Sequence, residues 1–174
     1  MTASALTLTE IRNYIAAAAE EVFGTMLGLE IRVGELALDL ALNKEHTRVT
    51  ALLGLTGEWS GSGQVSCDPP LACCIAGQFL MAEYPEVNDE VLDAIAELAN
   101  MIVGNVKNAL EETLGPMGIS TPVMISGDFE TRVVGNPAWV TVPFECAAGN
   151  MTVQIVLSQA SSTRRHRIGG ENLN

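Results

Sequence analysis

The chain has 174 residues, 48% hydrophobic and 17% charged, a composition that builds a packed globular domain and excludes a disordered one. Its formal net charge of −12 comes from 9 basic and 21 acidic residues, which argues against nucleic acid and anionic membrane as partners, since both select basic faces. No apolar run reaches the roughly 20 residues of a transmembrane helix, and the first ten residues lack the basic and apolar regions of a secretory signal.

Leu8, Ile11, Ile15, Ala18, Val22 and Met26 recur at helical spacing, which predicts a helix over 8–27 with Thr7 or Thr9 as N-cap. Residues 30–42 alternate, with Leu36, Leu38, Leu40 and Leu42 on one side, and read as a half-buried strand. Residues 46–56 and 58–67 read as a strand pair joined near Gly57, with Gly61 and Gly63 as turn or bulge positions. Pro69 and Pro70 open a helix that continues over 71–83 and stops at Pro85. Asn88 caps a long helix, 89–114, with Asp89 and Glu90 in its first turn and Gly115-Pro116 at its end. Strands follow at about 119–130, 138–147 and 150–159, turning at Gly135-Asn136-Pro137 and Gly149-Asn150. Residues 1–160 form a single domain in this reading, and 161–174 a flexible polar tail containing Arg164, Arg165, His166 and Arg167. Residues 1–160 carry 20 acids against 6 bases, so a partner drawn by this field presents basic groups.

The order is helix, strands, helices, strands. Closely following strands pair antiparallel, so the fold class is α+β, with long helices laid on an antiparallel sheet. A weak internal repeat of helix plus strands is also visible. Superimposing Gly24 on Gly104 sets Ala17 opposite Glu97 and Glu20 opposite Asn100.

Conventional catalytic groups are sparse. Cys67, Cys73, Cys74 and Cys146 show no C-x-x-C and no neighbouring histidine, so they read as small buried hydrophobes, and no metal site is expected. His46 and His166 have no Ser or Cys at a recognisable spacing. Gly57-x-x-x-Gly61-x-Gly63 lacks the lysine of a phosphate loop.

The helix over 89–114 is the informative segment. With about 100° per residue, Val91, Ile95, Leu98, Ile102, Val106 and Leu110 form one stripe, with Leu92 and Ala99 at its edge. Asp93, Glu97, Asn100, Gly104 and Glu111 fall on the opposite, solvent side. Two of these are odd there. Gly104 costs a helix interior about 1 kcal/mol relative to alanine, which close approach of another backbone would explain. Asn100 is a poor helix former, and it projects beside Glu97, three residues earlier.

The stretch Asp93-Ala-Ile-Ala-Glu97-Leu-Ala-Asn100-Met-Ile-Val-Gly104 resembles the signature helix of the chemotaxis phosphatases of the CheC, CheX and FliY group. That pattern has Asp or Ser, three residues, Glu, two residues, Asn, and a proline a little over twenty residues on; Pro122 follows Asn100 here after 21 residues. The resemblance covers about residues 5–158 and, with one E-x-x-N per chain, is greatest to the CheX branch. It implies a CheC-like fold and a cytoplasmic phosphatase that hydrolyses the aspartyl phosphate of a CheY-type receiver domain. Asn100 would orient the attacking water and Glu97 would pair with the receiver's active-site lysine, as the catalytic residues. Asp93 and Gly104 would be partner-binding. No cofactor of its own is implied, Mg²⁺ belonging to the phosphorylated receiver. The resemblance further implies a homodimer formed through sheet edges and a degenerate first helix. The alternative is a non-catalytic CheC-like module that binds a receiver or a flagellar switch component.

Overall fold

The computed structural model describes residues 6–34, 48–127 and 139–159. The expectations for 35–42, for His46, for the turn at 135–137 and for the tail fall outside the described residues.

Helix α1 (Leu8–Val22) starts on a capping box. The Thr7 hydroxyl accepts from Glu10 N at 3.2 Å while Thr7 N donates to Glu10 Oε2 at 2.7 Å, which satisfies two of the helix's orphan donors. The predicted helix continues to Leu27 as a π turn (Phe23–Leu27) and ends where Gly28 takes φ +63. Strands β1 (Ile31–Val33), β2 (Arg48–Gly57) and β3 (Trp59–Cys67) follow. Helix α2 (Pro69–Leu80) opens on its two prolines. It ends earlier than Pro85, because Met81 turns left-handed at φ 51 and Ala82 N closes onto Gly77 O. Helix α3 (Asp89–Leu114) has the predicted bounds. Then come β4 (Met117–Ile119), β5 (Val123–Gly127), β6 (Trp139–Cys146) and β7 (Gly149–Gln159).

All seven described strands join one antiparallel sheet in the order β1-β6-β7-β3-β2-β4, with β5 also on β2. The helices bury their apolar stripes against it, so the α+β expectation holds. With β4 set aside, the strand order reads the same when β1, β2 and β3 are exchanged for β5, β6 and β7: β1–β6 becomes β5–β2, and β2–β3 becomes β6–β7. Burial along the two long helices is also matched. Ile11, Ile15, Ala18, Ala19, Val22 and Phe23 are buried, as are Val91, Ile95, Leu98, Ala99, Ile102 and Val103 at the same spacing.

Three readings need correction. The segment expected as one strand over 119–130 is broken within its described part. Leu55 pairs with Ile119 and Leu52 with Val123, so three steps on β2 face four on the other chain segment, a one-residue bulge. Pro122 sits in that bulge, where its missing N–H breaks no ladder bond, and Ser120 Oγ accepts from Gly54 N at 2.8 Å. Gly61 and Gly63 are not turns or bulges, for the β2–β3 register runs unbroken through both. They are glycines because a Cβ on Gly61 would collide with Val156 O of β7, and one on Gly63 would meet Val103 of α3. Finally, only Cys67 of the four cysteines is fully buried; Cys73, Cys74 and Cys146 are free thiols in half-buried positions.

Candidate active site

Helix α3 crosses the sheet with both ends tied down. At its start Asn88 Oδ1 accepts from Val91 N at 3.0 Å, and Tyr84 donates its hydroxyl proton to Glu90 Oε2 at 2.6 Å. At its end Glu111 bridges Lys107 Nζ at 2.8 Å and accepts from Met117 N at 2.7 Å. Glu111, expected in solvent, is therefore half-buried and joins the helix to β4; these two bonds, Lys107's first, hold its carboxyl below the usual glutamate range. Between the ends Val91, Ile95, Leu98, Ala99, Ile102, Val106 and Leu110 are buried as the wheel requires. Ala94 and Val103 are buried as well. The helix as a whole packs on α1, α2 and the sheet, a three-sided environment that periodicity alone does not reveal.

The outward face carries Asp93, Glu97 and Asn100, all exposed, and Gly104, half-buried. Helical geometry sets the Cβ atoms of Glu97 and Asn100 about 5–6 Å apart. Among the described residues neither side chain has a hydrogen-bond or ion-pair partner; the bonds of α3 lie at its two ends. A carboxylate and a carboxamide thus stand side by side on a rigid, convex support, free to meet groups from another molecule.

An open groove of about 820 Å³ lies elsewhere, beside α2, lined by Pro69, Pro70, Cys73, Cys74, Tyr84 and Glu86 among others. None of Asp93, Glu97, Asn100 or Gly104 borders it. Burial raises the Cys73 thiol, with Glu86 adding to the effect, and burial raises Cys74, with Cys146 adding. Both are held as thiols, the unreactive form, so the groove offers no activated sulfur. Cys67, walled in by the core, is pushed up to about 12. Among the described residues no three His, Cys, Asp or Glu side chains converge as a metal site would require, and no helix is long and apolar enough to cross a membrane.

Enzymes that act on small molecules enclose them in a concavity. Among the described residues the candidate groups stand on an exposed helix face and border no such concavity.

The family model described as chemotaxis phosphatase CheX matches residues 49–145, a span that contains all but the first residue of β2, together with β3, α2, α3 and the Glu97–Asn100 pair. The chain belongs to the CheX family. It is 28% identical, over 67% of its length and 76% of the relative's, to the CheY-P phosphatase CheX of Thermotoga maritima. The crystal structure of CheX from Vibrio vulnificus superimposes with a TM-score of 0.74 at 27% identity, covering 88% of this chain and all of that one. CheX from Borrelia burgdorferi, solved as a complex with CheY, BeF₃ and Mg²⁺, shares the fold with a TM-score of 0.66 at 24% identity, covering 83% of this chain and 96% of that one.

Proposed function

We propose that this protein is a phosphatase for the aspartyl phosphate of a CheY-type response-regulator receiver domain, working through the exposed face of α3. The observation that carries the reading is the pair Glu97 and Asn100, adjacent, solvent-facing and without partners in their own described structure. Membership of the CheX family, and the activity for which the Thermotoga maritima relative is named, point to the same substrate.

The chemistry asks little of the enzyme. An aspartyl phosphate is an activated acyl phosphate held in the receiver's own cleft, with the receiver's Mg²⁺ balancing charge. A water must attack phosphorus in line while the bond from phosphorus to the aspartyl oxygen breaks; aspartate and inorganic phosphate are the products. Asn100 suits the positioning of that water, because its carboxamide both accepts and donates and is uncharged near a crowded anion. Glu97, one turn away, suits an ion pair with the receiver's lysine, which would fix the helix in register on the cleft. Asp93, one turn further toward the N-terminus of α3, extends the acidic strip toward the partner. The whole chain's charge of −12 then favours a receiver with a basic rim.

The same reading includes a homodimer. Among the described residues the sheet ends in two edges, β1 on one side and β4/β5 on the other, and open edges are natural sites of strand pairing.

The test is the decay of a phosphorylated receiver domain from the same cell, with wild-type protein and with the Glu97→Ala/Asn100→Ala double variant. Acceleration by wild type alone supports the reading. Equal acceleration by both would move the chemistry off α3. Binding without acceleration by either protein would make the chain an interaction module instead.

A further inference from the structure

Gly104 lies four residues beyond Asn100 and seven beyond Glu97, which places it about 20° from Glu97 around the helix and about 6 Å along the axis from Asn100. Among the described residues no heavy atom outside the helix's own backbone and the adjoining residues lies within 4 Å of the position its Cβ would take. Its φ is that of an ordinary helix, since it is absent from the positive-φ glycines. Neither internal packing nor backbone conformation therefore requires glycine. The contrast with Gly61 and Gly63, where a Cβ would strike β7 and α3, is direct. What sets Gly104 apart is its place, mid-helix on the face that carries Glu97 and Asn100.

We propose that Gly104 is the close-approach point of the receiver domain on α3: the partner's main chain lies against the bare helix backbone there, and this contact sets how deeply Asn100 reaches into the phosphorylation cleft. The assignment rests on the function proposed above and makes Gly104 a positioning residue, one that touches neither water nor phosphate. Any side chain at 104 would hold the partner off by an ångström or more. Displacements of that size reduce catalysis by about 10²-fold when reacting groups must be aligned.

Gly24 supplies an internal control. It is exposed, lies in the π turn after α1, and has equally open space where a Cβ would go, yet it lies outside the Glu97–Asn100 face. Gly104→Ala, Gly104→Leu, Gly24→Ala and Asn100→Ala are compared with wild type in three measurements: melting temperature, rate of receiver dephosphorylation, and affinity for a CheY-type receiver loaded with beryllofluoride and Mg²⁺. The proposal expects all variants at position 104 to melt at or above the wild-type temperature. Gly104→Ala should lose at least tenfold in kcat/KM, Gly104→Leu should lose more and also bind weakly, and Gly24→Ala should match wild type. Wild-type rates for Gly104→Ala beside an inactive Asn100→Ala would overturn the proposal while leaving the function intact. Equal losses from Gly24→Ala would overturn it too, by showing that the effect is not local. Should wild type bind the receiver without hydrolysing its phosphate, the function falls, and weakened binding by Gly104→Leu alone still supports the contact.

Discussion

Gly63 of β3 and Val103 of α3 meet across the helix–sheet interface: a Cβ on Gly63 would come within 2.7 Å of Val103 Cγ1 and 2.9 Å of its Cγ2. The same helical turn carries Val103 against the sheet and Gly104, half-buried, next to it. The missing side chain beneath thus sets the height at which the outer face stands. Gly63→Ala should destabilise the fold by about 1–3 kcal/mol, the usual cost of overpacking a core. Val103→Ala in the same chain should restore part of that loss by vacating the space. Denaturant midpoints of the two single variants and the double variant provide the cycle; additive losses would mean that the two residues are not coupled.

Asn100 and Glu97 have separable roles in the proposed reaction, and the kinetics should separate them. Asn100→Ala removes a group used only when water attacks, so kcat should fall about 10²–10³-fold, the scale of one well-placed transition-state contact. KM should hardly change. Glu97→Gln removes a charge used in docking, so KM should rise and lose its sensitivity to salt while kcat changes less. Both side chains are exposed and, among the described residues, unpartnered, so neither substitution should lower the melting temperature. A fall in kcat for Glu97→Gln equal to that for Asn100→Ala would merge the two roles.

The long helix was legible almost to the residue, because Asn88, the apolar stripe from Val91 to Leu110 and Gly115 are all local signals. The candidate site on it stood out in the sequence for a related reason. Asn100 and Gly104 are poor helix residues on a face where nothing local excuses them. The glycines of β3 were misread because their constraint is long-range: Gly61 answers to Val156 of β7, and Gly63 to Val103, neither of which is near in sequence. The bulge at Pro122 escaped for the same reason, since it is defined by register with β2. Glu111 was assigned to solvent by its angle on the wheel, but Met117, brought round by the turn after α3, supplies a backbone donor no wheel contains.

Acid should weaken the fold through two carboxylates in particular. The Thr7 backbone and side chain hold Glu10 below its ordinary 4.5, and Lys107, with Met117 N, does the same for Glu111. A carboxyl with a lower pKa in the folded state binds its proton more readily when unfolded. Its contribution is therefore fully present above the unfolded value and is lost as pH falls through the folded one. Stability measured by denaturant titration should decline from about pH 4.5 downward. In Glu10→Gln and Glu111→Gln the decline should be shallower and stability at pH 7 lower. Unchanged slopes in both variants would assign the acid response to other carboxylates.

The cysteines offer a check on the rejection of thiol chemistry. With Cys67 pushed up to about 12 and sealed in the core, and with Cys73 and Cys74 raised by burial, these thiols should be protonated at neutral pH. Alkylation needs the thiolate. Brief treatment of the native protein with iodoacetamide at pH 7.5, read by peptide mass spectrometry, should therefore leave Cys67 unmodified and Cys73 and Cys74 largely so. At pH 9 labelling of Cys73 and Cys74 should rise, because both are only partly covered. Cys67 should remain unlabelled until denaturant opens the core, when all four react. Rapid modification of Cys73 or Cys74 at pH 7.5 would instead reveal an activated thiolate in the groove beside α2. A nucleophile in that place would be a second chemical centre, remote from Glu97 and Asn100, and the assignment of all chemistry to the outer face of α3 would no longer stand.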